Sequence, residues 1–155
     1  MIIKYVLIAA LFISCGIENV NDNVDVPNSN VYDKKTHADF TPILDSMGLV
    51  IDVPIVYGQL ENNWAGACYK YSNGYREIVI DPEYWNKYSD AGKKQLLLHE
   101  IGHCVYDREH LNDFRNNCPV SVMRQYTFNR YQLENCFEPE FNYYFDEVIT
   151  SDILK

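Results

Sequence analysis

The sequence predicts an α+β fold in which a small, twisted, mixed β-sheet packs on helices and an irregular C-terminal part follows. Three observations predict it. β-Branched segments and a hairpin signal occupy the first half of the body, a leucine-rich helical segment comes next, and two aromatic-rich helical segments close the chain. The chain has 155 residues, 47% apolar and 23% charged, which is typical of one globular domain with a leader.

The first predicted elements are a helix and a strand. Residues 37–47 are moderately amphipathic and predict a helix that ends at Gly48. Residues 49–56 are rich in β-branched side chains and predict a strand, with Pro54 placing it near a sheet edge or a bulge.

A hairpin is predicted around the dipeptide Asn73-Gly74. This pair favours the positive φ angles of a type I′ turn, and it separates residues 65–72 from residues 75–81.

The second half of the body is predicted to be mainly helical. Ser89 or Asp90 can cap a helix that runs to about residue 105 and carries a broad leucine-rich face. Residues 106–119 are polar and predict an irregular segment. Two further helices are predicted over residues 126–135 and 141–154.

The first 14 residues are typical of an export signal. Lys4 supplies a positive charge, residues 5–13 form an apolar run too short to span a bilayer, and the stretch LFISC resembles a bacterial lipobox ending at Cys15. This resemblance implies that Cys15 is acylated and becomes the first residue; the alternative is an ordinary thiol behind a plain secretory signal. Residues 15–35 predict a flexible tether, and residues 36–155 the folded domain.

The formal charge of −9 argues against nucleic acid as a partner. No run of Lys or Arg forms a basic stripe, so we expect no nucleic-acid surface. We expect the protein to be a monomer.

Four cysteines lie within the predicted domain, and their even number in an exported chain favours disulfides. Three pairings can be drawn. We favour Cys68–Cys104, which would tie a strand to the leucine-rich helix, and Cys118–Cys136. A cysteine zinc cluster is the competing interpretation, but the sequence contains no C-x-x-C spacing.

An H-E-x-x-H motif begins at His99, inside the leucine-rich helix. Residues four apart lie on one helical face, so His99 and His103 can bind one zinc ion through neutral ring nitrogens. Glu100 can act as general base toward a zinc-activated water. The motif arises by chance in roughly one chain of this length in a few hundred, in which case the histidines would be surface residues of a solvated helix.

A catalytic zinc ion generally has three protein ligands and one open position. We favour His110 as the third ligand, because it follows His103 by seven residues and a chain reversal can return it to the helix. Asp107 tolerates unusual backbone angles and can contribute to this reversal. The alternative ligands are carboxylates: Asp107, Glu109, Glu134 and Glu147.

The segment HEIGHCVYDREH and the later SVM resemble the metzincin zinc peptidases, whose pattern is H-E-x-x-H-x-x-G-x-x-H followed by a methionine-containing turn. Here the third His comes one residue later, and Tyr106 occupies the position of the family's turn glycine. The resemblance implies three zinc ligands, a general base and a supporting methionine, which are His99, His103 and His110, then Glu100, then Met123.

A closer similarity is to metallopeptidases found among bacterial lipoproteins. They share a G-x-C strand, an H-E-[LI]-G-H-C motif, a later His, a Ser-x-Met turn and a tyrosine-rich C-terminal helix. The matching residues here are Gly66, Cys68, residues 99–104, His110, Ser121, Met123 and residues 144–147. The similarity implies a zinc peptidase of the bacterial cell envelope, anchored in the membrane by its lipid and acting on a peptide or protein substrate.

Further expectations concern substrate binding. Residues 65–72 are the candidate edge strand to which an extended substrate could add by main-chain hydrogen bonds. Tyr126 could donate a hydrogen bond to the developing oxyanion or act as a swinging ligand. Two rival interpretations are a membrane-tethered zinc-binding accessory lipoprotein without turnover and a zinc hydrolase of non-peptide amides. Glu100 argues against the first rival, because a structural zinc site needs no base beside its first ligand.

Overall fold

The structure is a computed structural model that describes residues 14–19, 35–61 and 63–150. Its centre is a four-stranded sheet with strand order β1-β3-β4-β2, and the strands are β1 (Ser14–Asn19), β2 (Ile55–Tyr57), β3 (Trp64–Lys70) and β4 (Arg76–Ile80). β3 and β4 are antiparallel, whereas β1 runs parallel to β3 and β2 runs parallel to β4. The predicted α+β class with a mixed sheet is confirmed.

Helices cover the sheet and form most of the second half. They are α1 (Thr41–Met47), α2 (Pro82–Trp85), α3 (Asp90–Cys104), α4 (Arg130–Gln132) and α5 (Phe141–Ile149). A 3₁₀ turn over Ala38–Phe40 precedes α1, and a π-helical turn over Leu133–Phe137 follows α4. Two short antiparallel strands, β5 (Phe114–Arg115) and β6 (Cys118–Pro119), lie between α3 and α4.

Helix α3 lies at the centre of the fold. The Ser89 hydroxyl caps it by accepting a hydrogen bond from the Gly92 N–H. Every residue from 95 to 104 is buried, which is typical of a helix that is covered on all sides. Leu97 belongs to an apolar cluster shared with the sheet and α1, and Leu98 belongs to a second cluster shared with the C-terminal segments. α3 therefore connects both halves of the core.

The predicted strand over residues 49–56 is wrong for most of its length. Only its last two residues belong to β2, and Val50 is 95% exposed. The alternating side chains of Leu49, Ile51 and Val53 pack against the core, which explains the strand-like pattern. Their burial comes from contact with the core and needs no pairing with the sheet.

The predicted hairpin is present, but its turn is not type I′. Only Gly74 has a positive φ, of 85°, whereas type I′ requires positive φ at both central residues. The Gly74 N–H donates to the Tyr71 carbonyl, and the Tyr71 N–H donates to the Tyr75 carbonyl. The Asn73 side chain accepts from the Tyr75 N–H instead of placing its own backbone in the left-handed region.

The segment predicted to be irregular contains a second hairpin. β5 and β6 are joined by Asn116 and Asn117, whose φ angles of 52° and 66° are those of a type I′ turn. Asn is one of the few residues with a side chain that adopts this conformation readily. The pattern was not visible in the sequence because each strand has only two residues.

The predicted helix over residues 126–135 begins later than expected. Asn129 caps α4 by accepting from the Gln132 N–H, and the Gln132 side chain accepts from the Asn129 N–H. This capping box fixes the helix start, so Tyr126 lies outside it. The last predicted helix is present as α5, and residues 151–155 lie outside the described residues.

Strand β1 falls where the sequence predicts the end of the export signal and the start of the tether. Its backbone pairs with β3, and pairing of this kind needs no alternating side-chain pattern. β3 therefore has a neighbour on each side, and the prediction that residues 65–72 form an exposed edge is wrong. Residues 1–13 of the predicted signal and residues 20–34 of the predicted tether lie outside the described residues.

Candidate metal centre

Two histidines and a glutamate of α3 lie in the interior of the protein. His99, Glu100 and His103 have no exposed surface. Because the two histidines are one helical turn apart, their rings meet on the same face, and their Nε2 atoms are 2.9 Å apart.

The chain reverses direction after α3 and returns His110 to this pair. The Arg108 N–H donates to the Gly102 carbonyl, and Asp107 adopts a φ of 52°. This left-handed conformation is more accessible to Asp than to most residues with a side chain. As a result, His110 Nε2 lies 3.1 Å from His103 Nε2.

The Asp107 carboxylate attaches this reversal to the β3–β4 hairpin. It lies 2.7 Å from Lys70 Nζ and 3.0 Å from Arg76 Nη1. Arg76 also donates to the Cys104 carbonyl at the end of α3, at 2.6 Å. The hydrogen bond from Lys70, followed by that from Arg76, holds the pKa of Asp107 below its usual range.

The three histidines form one cluster, with a nitrogen of each ring within 4.8 Å of the others. Among the side chains of residues 35–61 and 63–150, no fourth His, Cys, Asp or Glu joins them. Of the carboxylates considered as alternative ligands, Glu134 pairs with Arg130, Glu147 pairs with Arg108, and Glu109 stays outside the cluster. The cluster thus contains the ligand set that the motif and the resemblance predict.

Backbone carbonyls fix the protonation of two of these rings. His99 Nδ1 is 2.9 Å from the Val122 carbonyl oxygen, and His103 Nδ1 is 2.6 Å from the Arg108 carbonyl oxygen. A carbonyl only accepts hydrogen bonds, so each Nδ1 carries the hydrogen and each neutral ring has its lone pair on Nε2. The two Nε2 atoms therefore direct lone pairs toward the same point.

Burial keeps the rings uncharged. Desolvation, reinforced by the neighbouring His103, lowers the pKa of His99 well below its ordinary value. Desolvation also lowers the pKa of His103 to about 4 and lowers the pKa of His110. All three are neutral imidazoles at pH 7, which is the form that binds metal ions.

This arrangement fits a zinc ion. Zinc–nitrogen bonds of about 2.0–2.1 Å place tetrahedral ligand atoms roughly 3.3 Å apart, near the observed separations of 2.9 and 3.1 Å. Lone pairs that converge at this distance repel one another unless a positive charge lies between them. Hydrogen bonds from the other ring nitrogen to carbonyl groups are also typical of zinc-binding histidines.

Glu100 lies against strand β3. A Cβ added at Gly66 would be 2.7 Å from Glu100 Oε1 and 3.0 Å from its Cδ, so glycine leaves the room that this carboxylate occupies. The strand is fixed to the end of α3 by the disulfide Cys68–Cys104. The candidate general base is therefore buried between α3 and the sheet.

The Ser-x-Met segment packs beneath α3. A Cβ added at Gly102 would lie 2.3 Å from the sulfur of Met123, which is fully buried. The Ser121 hydroxyl accepts from the Met123 N–H at 2.9 Å and holds the turn in place. Val122, between them, supplies the carbonyl that binds His99.

Both predicted disulfides, Cys68–Cys104 and Cys118–Cys136, are formed. The second bridge joins β6 to the π-helical turn and closes the segment that follows the histidines. Of the three pairings that can be drawn, the favoured one is therefore the pairing in the structure.

The roles of two other predicted site residues, Tyr126 and Cys15, stay predictions. Tyr126 is half-buried, with its ring 5.9 Å from the Arg124 guanidinium, and its role toward a substrate stays a prediction. Acylation of Cys15 also stays a prediction, because only the backbone of β1 is described.

Sequence reasoning missed the backbone acceptors of the two helical histidines. Carbonyl groups occur at every residue and leave no sequence signal, so only the structure reveals that the carbonyls of Arg108 and Val122 accept hydrogen bonds from these histidines. Glu147 was considered only as a ligand, and the sequence contains no sign that it binds an arginine of the loop.

No helix among the described residues combines the length and the apolar character needed to cross a membrane. Comparisons of the chain with protein-family models, with curated proteins and with solved structures find no match. The functional argument therefore depends on the residues and their geometry.

Proposed function

We propose that this chain is a zinc-dependent peptidase of the metzincin type, in which His99, His103 and His110 hold one zinc ion and Glu100 is the general base. One observation carries the proposal: ring nitrogens of three neutral histidines, two of them buried and the third half-buried, lie within 4.8 Å of one another, and the buried Glu100 follows the first of them in α3. The H-E-x-x-H spacing and the Ser-x-Met segment beneath the helix support the same assignment.

Each residue has a distinct role in the proposed hydrolysis. A zinc ion in this site would supply a Lewis acid that lowers the pKa of water toward about 7 and polarises the scissile carbonyl. Glu100 accepts the proton of the attacking water and returns it to the departing amine. The hydrogen bonds from Nδ1 of His99 and His103 keep the opposite nitrogens free of protons. Tyr126 is the candidate donor to the oxyanion.

The number of ligands favours catalysis over a structural metal. Structural zinc sites are closed by four protein ligands, whereas catalytic sites have three and an open position. Within the described part of the chain the cluster has three members. A base next to the first ligand is useful for turnover and has no purpose in a structural site.

We propose that the protein acts outside the cytoplasm as a lipid-anchored protein of the cell envelope. Two disulfides are typical of an oxidising compartment. The lipobox-like stretch ending at Cys15 supports the same location.

The proposed function is tested by comparing the metal content and peptide cleavage of the purified chain with those of Glu100→Gln and His103→Ala. We expect Glu100→Gln to bind one zinc ion per chain and to cleave no member of a broad peptide library, because the ligands remain and the base is lost. His103→Ala should lose the metal and the activity together. Glu138→Gln, an exposed position with the same change of charge, is the matched control and should cleave like the unaltered chain.

Equal cleavage by Glu100→Gln and the unaltered chain would contradict the proposal. A chain that binds zinc but cleaves no peptide would also contradict it and would favour the accessory lipoprotein or a hydrolase of non-peptide amides.

A further inference from the structure

The carboxylate of Glu147 lies where three chain segments meet. These are α5, the reversal after α3 and the Ser-x-Met segment. One carboxylate oxygen accepts from the Arg108 guanidinium, and the other accepts from the Ser121 hydroxyl at 2.9 Å. The Val122 N–H also donates to this carboxylate. Arg108 forms a second bond, to the Glu147 carbonyl oxygen, at 2.7 Å.

The residues held by Glu147 are the same residues that bind the two helical histidines. The Arg108 carbonyl accepts from His103 Nδ1, and the Val122 carbonyl accepts from His99 Nδ1. Glu147 is therefore connected to His103 through the side chain and backbone of Arg108, and to His99 through the Ser121–Val122 segment. α5 also packs against α3 through Val148, and this path adds a polar connection between α5 and the histidines.

The ion pair is well placed to act as a fixed support. The side chains of Arg108 and Glu147 are only 20% and 16% exposed, so water competes weakly for their hydrogen bonds. Fork-like binding by arginine, to the carboxylate and to the carbonyl of one residue, restricts the loop more than a single contact would. Removing one partner of such a pair leaves the other charge without compensation.

We propose that Glu147 is a positioning residue of the metal centre: by binding the Arg108 side chain and the Ser121 hydroxyl, it holds the two chain segments whose carbonyl groups orient His99 and His103. The inference rests on the proposed zinc site but is independent of the substrate. It assigns a role to α5, which carries no ligand.

The expected effect follows from how zinc ligands are oriented. The partner of the second ring nitrogen fixes the ring and raises its basicity, and loss of such a partner typically weakens metal binding about 10–100-fold. Glu147→Gln leaves both carbonyl partners in place but loosens them, so we expect Co²⁺ and zinc to bind to this variant up to about 10-fold more weakly than to the unaltered chain. We also expect a changed Co²⁺ absorption spectrum, because two ligands lose their fixed orientation.

The experiment is a Co²⁺ titration of the metal-free full chain, followed by zinc competition, with the visible spectrum recorded throughout. Asp146→Asn is the matched control, because it removes one negative charge from the neighbouring exposed position of the same helix. We expect the control to show the affinity and the spectrum of the unaltered chain. Circular dichroism of the metal-free variants establishes that each is folded.

An unchanged affinity and spectrum for folded Glu147→Gln would overturn the inference. If this variant does not fold, Arg108→Lys decides, since it keeps the charge but removes the fork-like contact. Weaker Co²⁺ binding by Arg108→Lys supports the inference, and unaltered binding overturns it. An unaltered chain that binds no metal would instead contradict the proposed function, so the two failures are distinguishable.

Discussion

At Gly102 helix α3 and the Ser-x-Met segment approach so closely that an added methyl group would have to displace the end of the Met123 side chain. Gly102 has a helical backbone conformation that any residue could adopt. Glycine is favoured here by the contact with the neighbouring segment. The neighbour is the end of the Met123 side chain, which is buried and cannot move into solvent.

We predict that Gly102→Ala lowers the free energy of unfolding by about 1–3 kcal/mol, because the added Cβ overpacks a filled core. This outcome is opposite to the gain of up to about 1 kcal/mol that Ala brings at an unconstrained helix position. Chemical denaturation monitored by circular dichroism measures the change.

Two further variants make this test specific. Gly92→Ala lies in the same helix, and its Cβ would approach no atom closer than 3.3 Å, so we expect a smaller loss. Met123→Val removes the atoms that the new Cβ at Gly102 would strike. The double variant Gly102→Ala, Met123→Val should therefore lose less stability than the sum of the losses in the two single variants. Simple additivity of the two changes would contradict the packing argument.

The residues of the site differ in how far the sequence predicts them. The meeting of the His99 and His103 rings on one face of the helix is predictable from helical spacing alone. The return of His110 depends on the backbone conformation of Asp107 and on the bonds that the Asp107 carboxylate accepts. The donors, Lys70 and Arg76, are 37 and 31 residues from Asp107 along the chain. Contacts over such separations do not appear in a local pattern, so the path of the loop required the structure.

At the scale of elements, the disulfide Cys68–Cys104 joins β3 to the last residue of α3. Gly66 on this strand borders Glu100, and His103 precedes the bridged end of the helix. The bridge therefore sets the distance between β3 and α3, and the proposed base Glu100 lies between these two elements.

We predict that replacing Cys68 and Cys104 together by Ala lowers the free energy of unfolding by roughly 3–4 kcal/mol, from the loss of a cross-link between residues 36 positions apart. Zinc binding should weaken as well, because the end of α3 gains freedom beside His103. Denaturation and zinc competition measure the two effects separately.

Replacement of Cys118 and Cys136 together by Ala is the matched comparison. This bridge closes a shorter segment, of 18 positions, and neither of its cysteines lies in α3. We expect a comparable loss of stability, of roughly 3 kcal/mol, with a smaller loss of zinc affinity. A greater loss of affinity in this variant than in the Cys68 and Cys104 variant would contradict the role given to the first bridge.

The elements show where local patterns fail. α1 ends just before Gly48 and α3 begins just after Ser89, as predicted, because helix caps act locally. The segment over residues 49–56 alternates like a strand because one side faces the core, although most of it is outside the sheet. β1 and the β5–β6 hairpin are too short or too weakly patterned to be predicted from side chains.

At the scale of the whole molecule, the proposed metal centre lies where the two halves of the core meet. α3 carries two of the proposed ligands, and the reversal anchored to the β3–β4 hairpin carries the third. The reversal and the Ser-x-Met segment supply the carbonyl groups to which the two helical histidines donate. The α+β class was predictable from the order of patterned segments. The convergence of these segments on one point depends on packing, which the order of segments does not determine.

The most direct test of the central claim is a Co²⁺ and zinc titration of the metal-free chain beside His110→Asn and Glu109→Gln. The account predicts one ion per chain, a strong loss of affinity in His110→Asn, and the affinity of the unaltered chain in Glu109→Gln, because the cluster contains His110 and excludes Glu109. An unaltered chain that binds no ion, or a His110→Asn variant that binds as tightly as the unaltered chain, would contradict it.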